Sequence, residues 1–271
     1  MKTLIFSDVH LKVPPAGADV YAVFLRFLRQ VDPQTVSRLV ILGDLFDFWF
    51  EYRHVIFSGY FDVLRRFAEF HDAGMEVHFV CGNHDLWAGH FLERQLGFII
   101  HPDCLRLRFG DLDVLMLHGD GINPRDVGYR IYKQFATFPI VVGAFRLLHP
   151  DWAMKLAGWV SHGSRRLLEA EDLSQGPEVE PLRRFAREVI ERGEADAVIC
   201  GHSHFPVMET FPSPKGFGTY INTGDWLYHR SYVEWFENAF HLRSFESTVE
   251  RGEVTRSETG DAIEHREQEP Q

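Results

Sequence analysis

Leu39-Val40-Ile41-Leu42-Gly43-Asp44-Leu45-Phe46-Asp47 runs from four branched aliphatic residues straight into a glycine and a carboxylate. An apolar run with no polar alternation suits a strand buried on both faces, the kind found in a sheet covered by helices. The glycine frees the backbone to turn sharply, so Asp44 stands where that strand stops. The same grammar recurs on either side. Thr3–Phe6 leads into Ser7-Asp8-Val9-His10, and Val77–Cys81 into Gly82-Asn83-His84-Asp85. Val114–Leu117 leads into His118-Gly119-Asp120, and Ala197–Cys200 into Gly201-His202-Ser203-His204.

Helical spacing appears between these runs. Tyr21, Phe24, Leu25 and Leu28 share one face, as do Phe61, Leu64, Phe67 and Ala68, and then Leu182, Phe185, Ala186, Val189 and Ile190. Strands alternating with helices predict an α/β core. Ligands of open α/β sheets gather beyond the carboxyl ends of the strands, where all five polar clusters fall. Tyr220–Thr223, Tyr232–Phe236 and Phe240–Phe245 predict further strands and hence a second sheet.

Bulk properties narrow the class. With 45% hydrophobic and 14% aromatic residues in 271, the chain is expected to fold around a sizeable core. A formal net charge of −11 argues against a general nucleic-acid binder, and no nucleic-acid partner is expected. Three well-separated cysteines without a CxxC pair point to a reducing compartment, with Cys81 and Cys200 as buried thiols. The apolar part of the first residues is too short for a signal-peptide core, and no run approaches the ~18 residues that span a bilayer. The expected location is cytoplasmic, either free or peripheral on the inner membrane. A catalytic domain is expected over residues 1–246, with a helical insertion at about 125–180 and a disordered polar tail at 247–271.

The five clusters supply a set of metal donors. Hard and borderline divalent ions take carboxylate, amide oxygen and imidazole ligands. Asp8 and His10 lie two apart, so both point the same way on extended backbone. Asp44 is placed to bridge two ions, Asn83 offers an amide oxygen, and His118, His202 and His204 offer imidazoles. Singly, each motif is common, and a lone histidine is more often packed than ligating. Five in order, each closing an apolar run, are not accounted for that way. No GxSxG elbow is present, which argues against a serine hydrolase.

Asp8-x-His10, Gly43-Asp44-x-x-Asp47, Gly82-Asn83-His84-Asp85, His118-Gly119-Asp120 and Gly201-His202-Ser203-His204 resemble the five signatures of the calcineurin-like metallophosphoesterases. The resemblance implies a four-layer αββα sandwich. It implies one ion held by Asp8, His10, Asp44 and His204, and a second by Asp44, Asn83, His118 and His202. The two divalent ions are expected to be manganese, with iron and zinc as the alternatives. Such a pair clamps phosphoryl oxygens and acidifies the attacking water. His84 is implied to stabilise the transition state or protonate the leaving oxygen, with Asp47 or Asp85 to orient it. For Asp47, a hydrogen-bonding role around the ligands is the other reading.

Between the fourth and fifth clusters, Tyr129–Leu168 carries Arg130, Lys133, Arg146, Lys155, Arg165 and Arg166 against Asp151 alone, interleaved with aromatic and aliphatic residues. Such a segment suits an interfacial element or a lid over an amphiphile; the plainer reading is a helical pair with a solvated basic face. The runs from Gly43 to Glu51, from Gly82 to Trp87, and His118-Gly119-Asp120-Gly121 followed by Asp126-x-Gly128-Tyr129 are similar to UDP-2,3-diacylglucosamine pyrophosphatases of lipid A synthesis. That resemblance implies cleavage of a nucleotide-linked glycolipid to UMP and 2,3-diacylglucosamine 1-phosphate, with the insertion taking the acyl chains. It places Asp126 and Tyr129 on the substrate side, and Ser161 and Arg165 as sugar or phosphate contacts. The chain departs from the enterobacterial type in carrying His84 where that type has arginine. A soluble phosphodiesterase or phosphatase for nucleotides or small phosphoesters is the alternative, and a non-catalytic scaffold of the same fold a third. The sequence gives no oligomeric state.

Overall fold

A computed structural model describes residues 1–155, 174 and 176–245. The expected tail at 247–271 and the middle of the expected insertion, with Ser161 and Arg165, lie outside the described residues. Strands β1 (Lys2–Phe6), β2 (Val36–Leu42), β3 (Glu76–Val80) and β4 (Phe98–His101) run parallel, and β10 (Ser231–Phe236) with β11 (Ala239–Ser244) extends that sheet antiparallel beside β1. The second sheet has the order β5-β6-β7-β9-β8. Its central strands β6 (Leu112–Leu117), β7 (Ala197–Cys200) and β9 (Gly216–Asn222) are parallel, flanked by antiparallel β5 (Cys104–Phe109) and β8 (Val207–Ser213).

The apolar runs are continuous because both faces of these strands are covered. From β2, Leu39 and Ile41 pack towards helices α1 (Ala18–Gln30), α2 (Phe61–Asp72) and α3 (His90–Leu96), while Val40 and Leu42 pack between the sheets. From β7, Ala197 and Ile199 face that same central layer, and Val198 and Cys200 meet helix α6 (Val179–Glu191). The layers are therefore helix, sheet, sheet, helix, the expected αββα sandwich. Each large aliphatic or aromatic side chain removed from water in these layers contributes about 1.5–3 kcal/mol before entropy is subtracted.

Two details differ from the sequence reading. On α2 the buried face is Val63, Leu64, Phe67 and Phe70, so Phe61 is left 60% exposed at the helix start, with the Arg65 guanidinium over its ring. Strands β4, β5 and β8 were not foreseen. Cys81 and Cys200 are free and buried as expected, and burial pushes both thiols up to about 12. Cys104 is exposed.

The segment expected as an insertion includes α4 (Val127–Ala136) and α5 (Pro139–Phe145), the latter started by a proline whose missing N–H costs nothing there. It rests on Trp87, whose indole N–H donates to the Ala136 carbonyl and whose ring stacks on Phe145. Val127, Ile131, Phe135, Phe138, Ile140, Leu147 and Trp152 are exposed around this segment. Among the described residues no helix is long and apolar enough to cross a membrane.

Candidate metal centre and active site

The loops that follow β1, β2, β3, β6 and β7 converge at one end of the two sheets. Asp8, His10, Asp44, His202 and His204 all have positive φ, between 48° and 67°. For residues other than glycine this backbone costs on the order of 1–3 kcal/mol each, and such strain concentrates at functional sites. The loops hold one another in place: Asp8 N–H donates to Gly43 O, His10 N–H to Asp44 O, and Gly201 N–H to His118 O. Gly43 has φ +77°, and a Cβ there would lie 2.7 Å from the Gly82 Cα. A Cβ on Gly82 would in turn collide with Asp44 Oδ1, so both glycines are needed for the approach.

Asp44 sits at the centre. Its Oδ1 accepts from the His84 backbone N–H at 2.9 Å, leaving Oδ2 at 3.5 Å from His118 Nε2, 3.8 Å from His10 Nε2 and 3.9 Å from His84 Nε2. On one side, Asp8 Oδ1 lies 3.3 Å from His204 Nε2 and 3.7 Å from His10 Nε2, and those two nitrogens are 3.2 Å apart. On the other, His118 Nε2 is 3.0 Å from Asn83 Oδ1 and 3.2 Å from His202 Nδ1. All seven expected ligands are thus brought together in two groups that share Asp44.

The donor set fits divalent cations. Donors bound to one ion at about 2.0–2.1 Å sit about 3.0–3.4 Å from each other, which matches the shorter separations here. Asp8 Oδ1 is buried without a hydrogen-bond partner while facing two imidazoles. A carboxylate oxygen left so in an apolar interior is costly, and a bound cation would satisfy it. Its other oxygen is tied down by Ser7 Oγ and by the His202 backbone N–H. His118 is oriented by its Nδ1–H, which donates to the Leu42 carbonyl at 2.7 Å and turns Nε2 inward.

Burial raises the Asp44 carboxyl, but His118, His84 and His10 more than offset it and hold it well below the carboxylate range. Burial lowers His10 and His202 to about 4, so both are neutral donors. Against the same burial, Asp44 and Asp8 raise His118, and Asp8 with Asp225 takes His204 up to about 10. The carboxylates therefore favour positive charge in both halves of the cluster.

His84 lies edge-on to His10, with ring centroids 4.7 Å apart. Its Nδ1–H donates to the Asp47 backbone carbonyl at 2.8 Å, which leaves Nε2 on the Asp44 side. The Asp85 carboxylate is fully buried and engaged by backbone amides, accepting from the N–H groups of Gly82, Leu45 and Asp44. Burial and the Asp44 charge raise it to about 7 against those donors. Asp126 caps α4 by accepting from Tyr129 N–H, and the Tyr129 hydroxyl donates to Asp120 Oδ2. Lys133 Nζ meets the same Asp120 oxygen at 2.7 Å.

The sequence reading did not single out Asp120 as a site residue and missed Thr223 and Asp225 altogether. Thr223 Oγ1 is 2.5 Å from Ser7 Oγ, and Asp225 stands behind His204. The signal was there: Ile221-Asn222-Thr223-Gly224-Asp225 closes an apolar strand with a glycine and a carboxylate, as Leu42-Gly43-Asp44 does.

The chain belongs to the calcineurin-like phosphoesterase family, whose pattern matches residues 1–206, and it is accordingly a hydrolase with a divalent-metal centre. A UDP-2,3-diacylglucosamine hydrolase of Porphyromonas gingivalis is 31% identical over 247 residues, 79% of this chain and 92% of its own. A protein of the same name from Azotobacter vinelandii is 29% identical over 90% of this chain and 99% of its own. Among solved structures, an archaeal phosphodiesterase aligns over 90% of this chain at 16% identity, with a TM-score of 0.43.

Proposed function

We propose that this chain hydrolyses the pyrophosphate of UDP-2,3-diacylglucosamine, giving UMP and 2,3-diacylglucosamine 1-phosphate, with two manganese ions as its native metals. The observation that carries the chemistry is Asp44 Oδ2, which faces His10 and His118 at once. Bound in the two groups, divalent ions would neutralise the phosphoryl oxygens and acidify the attacking water. Mixed carboxylate, amide and imidazole donors without thiolate suit manganese or iron, and zinc less specifically.

The chain's own residues do the rest. His84, fixed through Nδ1, presents Nε2 beside Asp44; protonated, it would offer its proton to the leaving oxygen. Asp85 keeps the loops of Asp44 and Asn83 in register, and Asp47 serves through its carbonyl. Asp120 ties α4 to the loop after His118 through Tyr129 and Lys133, so that a cation of α4 stands beside the fourth cluster. Tyr129, Asp126, Ser161 and Arg165 make up the substrate side of this reading. The names of the relatives and the exposed apolar side chains of α4 and α5 support a lipid-linked substrate met at the cytoplasmic face of the inner membrane.

The test is manganese-dependent release of UMP from UDP-2,3-diacylglucosamine in mixed micelles, with bis-p-nitrophenyl phosphate alongside and Asp8→Ala as the control. Release of UMP that vanishes in the control is expected. Turnover of the simple diester alone would keep the metal chemistry and transfer the substrate to soluble phosphoesters.

A further inference from the structure

Asp225 lies in the loop between β9 and β10, outside the five signatures, and is fully buried. Its Oδ1 accepts from the backbone N–H groups of Tyr228 and His229, both at 2.9 Å. Its Oδ2 has no such donor and lies 3.5 Å from His204 Nδ1. The loop cannot drift away from the site. The next residue, Trp226, donates its backbone N–H to Asp8 O, and its indole is packed among Phe24 and Phe27 at centroid distances of 4.9 and 4.7 Å.

The ring in front of it is constrained from the other side. His204 Nε2 is 3.3 Å from Asp8 Oδ1 and 3.2 Å from His10 Nε2, so that nitrogen faces the cluster. A carboxylate behind Nδ1 fixes the proton there and leaves the Nε2 lone pair free for a cation; it also raises the basicity of that lone pair. The corresponding support for His118 is the Leu42 carbonyl, which is neutral. The two halves of the cluster therefore differ in what is seen behind these two imidazoles: a buried carboxylate behind His204 and a backbone carbonyl behind His118.

We propose that Asp225 is a positioning residue for His204, setting the cation affinity of the Asp8–His10–Asp44–His204 half and leaving the Asn83–His118–His202 half unaltered. This rests on the reading of the cluster as a two-ion centre. Asp225→Asn is the informative variant. It keeps an oxygen for the Tyr228 and His229 amides and places an N–H₂ against His204 Nδ1. That nitrogen must then be the acceptor, which puts the ring proton on Nε2, where the cation would bind.

The experiment is calorimetric titration of the full-length, metal-stripped protein with manganese, with thermal unfolding of both forms as a control. Wild type is expected to bind two ions. Asp225→Asn is expected to bind one as wild type does and the other about 10–100-fold more weakly, the range for loss of such a supporting group. Two ions bound with wild-type affinity, or both weakened equally, would overturn the role of Asp225 and leave the centre standing. No manganese bound by wild type would overturn the centre itself and the proposal with it. Should the variant fail to fold, nitrogen-15 spectra of histidine-labelled wild type loaded with diamagnetic zinc decide the matter. Protonated Nδ1 with Nε2 coordinated at His204 supports the proposal, and coordination through Nδ1 refutes it.

Discussion

Asp44 and His84 are neighbours with separable duties. Asp44 contributes an oxygen to both halves of the cluster, and its other oxygen holds the loop of His84. Replacement by alanine removes the shared ligand and the loop contact together. Asp44→Ala is expected to lose turnover of every substrate and to retain fewer than two ions per chain by elemental analysis; two retained ions would refute the bridging assignment. His84, by contrast, is not one of the seven expected ligands, although its Nε2 lies close to Asp44 and His10, and it is fixed by a backbone carbonyl. His84→Ala is expected to keep its metal content and lose about 10²–10⁴ in kcat, the usual contribution of a positioned acid or base. Equal rates for the variant and wild type would remove His84 from the mechanism. An arginine in its place could stabilise charge but would not give up a proton, so a His84→Arg rate near wild type assigns charge stabilisation and a rate as low as that of His84→Ala assigns proton transfer.

The elements nearest the site were the most legible in the sequence, and for one physical reason. Strands β1, β2, β3 and β7 are covered on both faces, so the stretches that precede the polar clusters are apolar almost throughout, His78 in β3 being an exception, and their ends are marked by a glycine or polar cluster. Strand β8 exposes every second residue, buries Phe211 alone and includes Pro212, and β5 places Arg106 and Arg108 outward, so neither shows a continuous run. The α2 face was misjudged by Phe61, which is apolar but precedes the first turn that meets the core. Ligands that follow such strands were visible for the same reason. The carboxylates acting at one remove were less so: Asp47 or Asp85 was expected to orient His84, where the Asp47 carbonyl meets its ring and the Asp85 carboxylate meets backbone amides, and Asp225 follows a strand that begins with exposed glycine and phenylalanine. The insertion tests a different property. Ile131 and Phe135 stand one turn apart on α4, more than 60% exposed each, so replacing both with glutamate should change stability little. The double variant is expected to lose co-sedimentation with anionic phospholipid vesicles and at least about tenfold of its rate on a micellar substrate, the effect of losing two apolar side chains that lipid would bury. Hydrolysis of bis-p-nitrophenyl phosphate should be unaltered. Undiminished rates on the micellar substrate would assign these side chains to some other contact.

At the scale of the whole molecule, the centre is a seam between the two sheets. Asp8, His10, Asp44 and Asn83 follow strands of the first sheet, whereas His118, His202 and His204 follow strands of the second. The seam brings together carboxylates packed among imidazoles, five left-handed backbone positions and an Asp8 oxygen without a donor. The left-handed backbone and the unpaired oxygen disfavour the folded chain, and a cation between the sheets would satisfy that oxygen and offset part of the cost by joining donors from both sides. Binding to the folded state alone stabilises it by about 2.7 kcal/mol per site at one hundred times Kd. For a domain of this size each kcal/mol raises the Tm by about 2–4 °C, so saturating manganese is expected to raise the midpoint by roughly 5–10 °C per tight site over the protein in chelator. The rise should depend on manganese concentration and be smaller in Asp44→Ala, where the two sheets no longer share a ligand. Identical midpoints in manganese and in chelator, for wild type, would mean that the seam is closed by protein contacts alone and that no ion joins the sheets.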